Sequence, residues 1–168
     1  YAAALRAGLP ASTVLDDAPL TMTQPDGTEW APQNFDLKFG GPMPMREALY
    51  QSRNLPAIRV GMQIGESNVV EMARRFGITA EMLPVPSISL GAADVLPIEM
   101  VSAYTVFANL GTRVAPNPIV RVTNTEGKVL WRPEGVREQV LSAEEAWIMT
   151  DMMRDVIRRG TAYGAVVV

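Results

Sequence analysis

Three consecutive residues, Ser52-Arg53-Asn54, offer the clearest candidate chemistry in this sequence. They follow an apolar helical pattern at 45–51 and precede Pro56, which can open a second helix, so a helix–helix junction is predicted there. A serine hydroxyl and an asparagine amide two residues apart can face one cleft, where they donate and accept hydrogen bonds without changing charge. That pairing suits proton relay and the holding of a substrate amide. Taken alone, however, the motif is weak, and a helix cap is the simpler interpretation.

Two residue types are absent from the sequence. It has no His and no Cys, which excludes a Ser-His-Asp triad, a thiolate nucleophile, a zinc–thiolate cluster and a disulfide within this chain. The lysines are Lys38 and Lys128, so acid–base chemistry inside the chain falls to them, to carboxylates or to tyrosines. No glycine-rich phosphate loop or carboxylate cluster with metal-ligand spacing is present, and we expect neither a cofactor nor a metal.

Charge and pattern both argue against binding to nucleic acid. The formal net charge over 168 residues is −3, so a basic footprint is missing. Residues 69–78 resemble the opening helix of a helix-turn-helix, but Pro84 and Pro86 would break the recognition helix that should follow. We therefore expect no nucleic-acid partner.

The two ends of the sequence predict an excerpt from a longer chain. No stretch approaches the roughly 20 apolar residues of a membrane span, and residues 1–10 lack the features of a signal peptide. They fit the second half of a helix that ends at Gly8 and Pro10. The segment 165–168 is apolar and is interpreted as the start of a strand or core segment.

Hydrophobic spacing and helix breakers predict five further helices. The last of them has the strongest start signal, a capping box formed by Ser142 and Glu145. The predicted helices cover 45–51, Pro56 to Gly65, Ser67 (as the cap) to Gly77, Pro97 to Gly111, and Ser142 to about Arg159. The buried stripe of the last helix is expected to hold Ile148, Met149, Met152, Met153, Val156 and Ile157.

Fewer strands than helices are predicted. Residues 119–123 and 128–131 are rich in β-branched side chains and flank a turn, which is typical of a β-hairpin. Turn formers crowd residues 11–42, where we expect a long irregular segment with a short strand near 20–22 and a turn at 25–27. The fold class is therefore α+β.

The sequence around the Ser-Arg-Asn motif resembles the transpeptidase domain of class A penicillin-binding proteins. Near the motif the resemblance is carried by Trp30-Ala-Pro-Gln-Asn34, Phe39-Gly-Gly41, Arg46-Glu-Ala-Leu49 and Ser52-Arg-Asn-Leu-Pro-Ala57. It continues in the same order through 90–100, Ala103-Tyr104, 107–111, 116–119, Leu141-Ser142 and 159–162. Each piece is weak, but their order and spacing across nearly the whole chain are specific.

The resemblance implies a penicillin-binding/β-lactamase-like transpeptidase fold, with an antiparallel sheet flanked by helices and an all-helical lobe. The site of that family combines S-x-x-K, S-x-N and K-T-G motifs. By position Ser52 and Asn54 are the catalytic S-x-N pair. The Ser52 hydroxyl would relay a proton toward the leaving amine, and the Asn54 amide would hold the substrate's peptide carbonyl and help to fix the catalytic lysine. Arg53 occupies the variable middle position and is assigned no role.

The other two motifs are not in this sequence. None of its serines has Lys three residues later, and Lys38 and Lys128 are followed by Phe39 and Val129 rather than by Thr-Gly. We therefore expect residues 1–168 to be the central part of one transpeptidase domain, an incomplete fold with most of the helical lobe and one β-hairpin of the sheet. By itself the chain should neither turn over peptide nor be acylated by penicillin, because acyl transfer needs an activated nucleophile and a base. Poor stability as an isolated monomer is also expected.

For the parent protein the resemblance implies a peptidoglycan D,D-transpeptidase that cross-links stem peptides through an acyl-serine and is acylated by β-lactam antibiotics. A glycosyltransferase domain and a membrane anchor would lie upstream, with this part in the periplasm or on the outer face of the cell membrane. The alternative is a non-catalytic relative of the same fold that binds cell-wall peptide or a partner protein. Intact flanking motifs would favour the enzyme, and their loss would favour the binding module.

Overall fold

The computed structural model describes residues 1–24 and 26–165, and its helices form most of the framework. Pro97 opens one of them at its first position, where proline's missing N–H costs nothing. The α-helices are α1 Ala2–Arg6, α2 Met45–Tyr50, α3 Asn54–Ile64, α4 Glu66–Arg75, α5 Pro97–Ala108 and α6 Ala143–Arg158. Short 3₁₀ helices cover Pro86–Leu90 and Tyr163–Ala165. None of the described helices has the length and apolarity that a bilayer crossing requires.

The strands are short and pair in twos. They are β1 Val14–Asp17, β2 Met22–Thr23, β3 Glu29–Trp30, β4 Gly41–Pro44, β5 Thr112–Val114, β6 Val122–Thr123, β7 Val129–Trp131 and β8 Arg137–Gln139. Within the described residues they form the antiparallel pairs β1–β4, β2–β3, β5–β8 and β6–β7. In the first pair Asp17 lies opposite Gly41, which brings the end of β1 to the start of β4.

The core consists of two apolar clusters that share helix α6. One surrounds Phe76, Val106 and Leu141, and Ala146 of α6 contributes to it. The other joins β1, β4 and α2 to Met152 on the next turns of α6. Because one helix contributes to both clusters, burial of its apolar stripe fixes α2, and with it the α2–α3 junction, against the rest of the fold.

Several predicted elements are confirmed, including the hairpin, now seen as β6–β7, and the capping box. The Ser142 Oγ accepts from the Glu145 amide at 3.1 Å, and the Glu145 carboxylate accepts from the Ser142 amide at 2.7 Å. The buried stripe of α6 is confirmed at Met149 and Met152, but Ile157 is 47% exposed.

Other predictions were wrong in detail. Ser67 is not the cap, because Gly65 at φ 87° is the N-cap residue of α4 and Ser67 lies inside the helix. Helix α3 begins at Asn54, two residues before the predicted Pro56. The segment 11–42 is less irregular than predicted, since it contains β1 to β3 and the beginning of β4.

Two interpretations reach beyond the described residues. The predicted 25–27 turn includes Pro25, which lies outside them, as do residues 166–168 of the apolar end. The neighbouring Met22–Thr23 strand is close to its predicted position and pairs with Glu29–Trp30.

Gly61 allows α3 to pack closely against the 3₁₀ helix at Pro86–Leu90. A Cβ at Gly61 would overlap the Ser89 Oγ and lie 3.2 Å from its Cβ. We expect Gly61→Ala to lower the free energy of unfolding by about 1 kcal/mol, since overpacking costs about 1–3 kcal/mol and better helix propensity recovers about 1 kcal/mol. Urea unfolding measures the change. Gly135→Ala is the matched control, because a Cβ there meets open space; a Gly61→Ala protein as stable as this control would contradict the prediction.

Asp155 on α6 ties α2 to α6 through charge-assisted hydrogen bonds. Its Oδ2 lies 2.7 Å from Arg159 Nη2 and 2.9 Å from Arg46 Nη1. These bonds, that from Arg159 being the larger influence, lower the pKa of the Asp155 carboxyl below its ordinary 3.8. A carboxyl with a lowered native pKa stabilises the fold above its unfolded pKa, and this stabilisation is lost as the pH falls through the native value.

Asp155→Asn should therefore lower the free energy of unfolding at neutral pH by about 1.5–3 kcal/mol, the range for hydrogen bonds to charged groups. The gap between the two proteins should narrow as the pH falls below the ordinary carboxyl pKa of 3.8. Urea midpoints measured from neutral pH down to about pH 2.5 test this linkage. A gap that stays constant over that range would contradict it.

Candidate functional site

Ser52 lies just beyond the end of α2 in a left-handed backbone conformation. Its φ is 56°, its amide donates to the Leu49 carbonyl at 3.0 Å, and the Arg53 amide donates to the Ala48 carbonyl at 2.9 Å. This is the Schellman pattern, in which glycine usually occupies the left-handed position. A side chain there costs roughly 1–2 kcal/mol, so the position carries a serine against conformational preference.

The cap interpretation of Ser52 is wrong in this structure. Ser52 lies in the C-terminal turn of α2, and the N-cap residue of α3 is Arg53. The Ser52 residue is exposed, and among the residues that the structure describes its hydroxyl has no hydrogen-bond partner. A strained backbone that presents an uncommitted hydroxyl is typical of a functional position.

Asn54 opens α3 with its side chain held by a neighbouring loop. Its Nδ2 donates to the Gln33 carbonyl at 2.8 Å. A carbonyl only accepts, so this contact fixes which end of the amide faces Gln33. One N–H and the Oδ1 of Asn54 remain uncommitted within the described part of the chain, which leaves one donor and one acceptor for a ligand.

The two predicted residues line the same small cavity. Its volume is about 210 Å³, and Ser52 and Asn54 form part of its wall. The other lining residues are Tyr1, Leu49, Arg53, Ala57, Ser89 and Leu90. The wall therefore offers hydroxyls and an amide but neither a lysine nor a carboxylate.

Beneath this wall lies a buried carboxylate that the sequence interpretation missed. Asp17, at the end of β1, has no exposed surface. Its Oδ2 accepts from Arg53 Nε at 2.7 Å and from the Gly40 amide at 2.8 Å. Its Oδ1 accepts from Asn34 Nδ2 at 2.6 Å. Each carboxylate oxygen is thus hydrogen-bonded, as a buried charge requires.

Asn34 provides the cap that the N-terminus of α3 lacks locally. Its Oδ1 accepts from the Asn54 amide at 2.8 Å, although the two residues are 20 positions apart. Its Nδ2 also donates to the Lys38 carbonyl at 2.8 Å. The side chain is 2% exposed, so this distant cap is part of the core. The motif Trp30-Ala-Pro-Gln-Asn34 was the only sequence signal for this residue.

Arg53 is the third member of the buried group, and all three of its guanidinium nitrogens are bonded. Besides Asp17, it contacts the Asp36 carboxylate at 2.9 Å and the Lys38 carbonyl at 2.6 Å. Partial burial lowers the pKa of Arg53, but the hydrogen bonds to Asp36 and Asp17 outweigh this effect and the net shift is upward. The Lys38 amide and then Arg53 hold the pKa of the Asp36 carboxyl below its ordinary value.

The arrangement has the groups needed to relay a proton and to hold an amide or carbonyl. Residues 1–24 and 26–165 contain no cluster of three or more His, Cys, Asp or Glu side chains placed to bind one. The uncommitted groups of Ser52 and Asn54 are neutral at all ordinary pH values. Chemistry at this cavity that needs a nucleophile and a base must take them from other residues.

Known proteins resemble this chain over nearly its whole length. The family model described as "Penicillin binding protein transpeptidase domain" matches residues 1–167. Penicillin-binding protein 1A of Neisseria lactamica is 37% identical over 173 positions, covering 98% of this chain and 22% of that protein. Penicillin-binding protein 1A of Pseudomonas aeruginosa is 31% identical over 213 positions, covering 96% of this chain and 26% of that protein. This chain therefore spans about a quarter or less of the length of these relatives.

Solved structures give the same fold. Penicillin-binding protein 1A from Haemophilus influenzae superposes with a TM-score of 0.89 at 28% identity, covering 98% of this chain and 30% of that chain. Penicillin-binding protein A from M. tuberculosis, solved as an imipenem acyl-enzyme complex, superposes with a TM-score of 0.83 at 23% identity, covering 99% of this chain and 43% of that chain. The predicted α+β penicillin-binding fold is thereby confirmed. Since the family match extends over nearly every residue and the structural likeness extends over the same span, this chain belongs to the penicillin-binding protein transpeptidase domain family.

Proposed function

We propose that this chain is the central part of a peptidoglycan D,D-transpeptidase domain, which cross-links stem peptides through an acyl-serine intermediate and is acylated by β-lactams. One observation carries the proposal for this site: the uncommitted Ser52 hydroxyl and the oriented Asn54 amide line one cavity. Membership of the family supplies the reaction class. The cavity supplies groups of the kind that such a reaction uses.

In the first half-reaction a nucleophilic serine attacks the carbonyl of the penultimate D-Ala, and an ester forms as the bond to the terminal D-Ala breaks. The departing amine needs a proton, and the serine hydroxyl must lose one. Ser52 carries the proton toward the amine, because a hydroxyl both donates and accepts. In the second half-reaction the amine of another stem attacks the ester carbonyl, a new peptide bond forms as the ester bond breaks, and the proton lost by the amine returns to the serine oxygen.

Asn54 holds the substrate in this scheme. With one N–H committed to Gln33, the other donates to the substrate's peptide carbonyl, and the Oδ1 accepts from the ammonium of the catalytic lysine. The nucleophilic serine, that lysine and the K-T-G residues come from segments outside residues 1–168, since the sequence contains neither motif. In this scheme residues 1–168 supply the proton relay, Ser52, and the residue that positions the substrate, Asn54.

An exposed apolar face supports the proposal that the domain extends beyond these residues. On α5, Ile98, Val101 and Tyr104 are 58%, 64% and 58% exposed and follow one another at helical spacing. Large apolar patches on soluble proteins mark surfaces that other protein covers. Further parts of the same transpeptidase domain are the proposed cover.

The proposed substrate also sets the location. Stem peptides of peptidoglycan lie outside the cytoplasm, so this domain works in the periplasm or on the outer face of the cell membrane. An upstream membrane anchor and a glycosyltransferase domain complete the proposed parent protein. The proposed partners are the stem peptide and β-lactam antibiotics.

Acylation by penicillin tests whether the nucleophile lies outside residues 1–168. Intact mass spectrometry after incubation with a penicillin should detect one adduct on the full-length protein that contains this chain and none on residues 1–168 alone. The control is the hydrolysed antibiotic, which has no lactam ring to open. An adduct on the chain alone would contradict the assignment of the nucleophile to another segment. A folded full-length protein without an adduct would contradict the enzyme and favour a non-catalytic module that binds cell-wall peptide or a partner protein.

The left-handed backbone of Ser52 and its hydroxyl can be tested separately in the full-length protein. Ser52→Gly relieves a left-handed strain of roughly 1–2 kcal/mol, of which glycine's chain entropy takes back about 0.5–1 kcal/mol. The free energy of unfolding should therefore rise by up to about 1.5 kcal/mol. The rate constant of acylation should fall about 100-fold, the lower range for loss of a proton-transfer group.

Ser52→Ala is the matched variant, because it removes the hydroxyl but keeps the Cβ and its strain. It should lose acylation to the same extent without the gain in stability. Urea unfolding and stopped-flow acylation by a fluorescent penicillin measure the two effects. A Ser52→Gly protein that is acylated at the wild-type rate would contradict the relay role.

A further inference from the structure

We propose that Arg53 is a positioning residue for transpeptidation, acting with Asp17 and Asn34 to hold Ser52 and Asn54 in their working geometry. This inference rests on the proposed function of the Ser52–Asn54 pair. It assigns a role to the middle residue of the motif, whose identity carried no meaning at the level of sequence. Arg53 lines the cavity, but each of its guanidinium nitrogens is bonded to a protein acceptor, so it acts through its neighbours and not on the substrate.

The guanidinium of Arg53 is fixed by three acceptors on two separate segments. Asp17 lies at the end of β1, 36 positions away, while Asp36 and the Lys38 carbonyl belong to the loop after β3. The Arg53 side chain is 11% exposed. A planar, rigid fork that is bonded at each nitrogen restrains the backbone from which it projects.

That restraint acts directly on Ser52. The left-handed conformation of a serine persists only where the surrounding structure over-determines it. Here the Arg53 amide closes the turn on Ala48, and the Arg53 side chain ties the following backbone to the buried carboxylate. Releasing the side chain lets the Ser52–Arg53 peptide rotate toward a relaxed conformation, which moves the hydroxyl.

The same carboxylate reaches Asn54 by a second route. Asp17 Oδ1 accepts from Asn34 Nδ2 at 2.6 Å, and Asn34 Oδ1 accepts from the Asn54 amide at 2.8 Å. The preceding residue, Gln33, receives the Asn54 side chain. Asp17 therefore holds Arg53 with its Oδ2 and Asn34, which caps Asn54, with its Oδ1. The positions of Ser52 and Asn54 thus both depend on the same carboxylate.

A second arginine forms a similar ion-pair network away from the cavity, so it can separate the effect of lost stability from an effect on the site. Arg46, on the preceding helix, also contacts two carboxylates, those of Asp151 and Asp155 at 2.7 and 2.9 Å. It packs α2 against α6, and neither it nor its partners line the cavity. Arg46 is therefore the matched control for Arg53.

The test uses the full-length protein and the acylation of its serine by a fluorescent penicillin. Arg53→Lys keeps the charge but loses the fork. Its acylation rate constant should fall at least tenfold, since a displacement of about 1 Å can cost about 100-fold, while the apparent dissociation constant of the antibiotic changes less than threefold. Arg46→Lys should lower the unfolding temperature about as much as Arg53→Lys does, but it should be acylated at the wild-type rate.

A double-mutant cycle gives a readout that a merely structural role would not move. If Arg53 acts through the Ser52 hydroxyl, then Ser52→Ala should cost much less in the Arg53→Lys protein than in the wild type. Acylation of Arg53→Lys within twofold of wild type, or effects that simply multiply, would overturn the inference while the proposed function stands. A wild-type protein that penicillin does not acylate overturns the proposed function first, and the inference with it.

One further variant keeps the test decisive if Arg53→Lys does not fold. Asp36 is exposed and contributes one contact to Arg53, so Asp36→Ala leaves the buried pair with Asp17 intact. It should lower the acylation rate constant about threefold or more with little change in the unfolding temperature, because it frees one arm of the fork. A wild-type rate in this folded variant, with Arg53→Lys unfolded, would assign the network to stability alone and overturn the inference.

Discussion

The buried carboxylate of Asp17 is the constraint on which the rest of the site depends. Taking an ion out of water costs several kcal/mol, and only close pairing and full hydrogen bonding offset that cost. Asp17 obtains both from Arg53, Asn34 and the Gly40 amide. These partners come from two stretches of chain outside β1, so the charge can be buried only when β1, the loop before β4 and the start of α3 have come together. Satisfying one carboxylate thus assembles one wall of the cavity.

The cavity wall around Ser52 contains strained backbone, which lowers the stability of the fold. Glycine would suit the left-handed turn after α2 better than Ser52, yet glycine has no hydroxyl to offer. Leu37, in the loop that binds Arg53, is also left-handed, with φ 60°. Strain at two positions around one buried network is sustained because the network over-determines the local backbone. Burial of apolar side chains in the two clusters along α6 stabilises the fold and offsets this strain.

Local signals were sufficient for much of the fold but for little of the site's support. The Ser142 capping box and the Pro97 start depend on neighbours within one helical turn, and both were predicted correctly. The β1–β4 pair joins strands separated by an entire loop, and Val14–Asp17 has no alternation strong enough to identify it. Gly65, not Ser67, is the N-cap residue of α4, because its positive φ suits glycine and sets the direction of the chain into the helix. Ser52 and Asn54 were predicted from the family resemblance, and their catalytic roles stay a prediction. The contacts of Arg53 could not be predicted from neighbouring residues, because its partners lie 15 to 36 positions away.

Stiffness at this wall has a chemical reason in the proposed reaction. A group that stabilises a transition state contributes most when it is already in place, because no free energy is then spent on reorganising it during the reaction. A hydroxyl relay and an amide holder carry no charge of their own, so their effect depends on distance and direction. A lone surface loop between α2 and α3 would leave both to fluctuate. Hydrogen bonds from the Asp17–Arg53–Asn34 group hold the α2–α3 junction from the buried side. The cavity side of Ser52 and Asn54 stays open to a substrate, as a neutral relay pair requires.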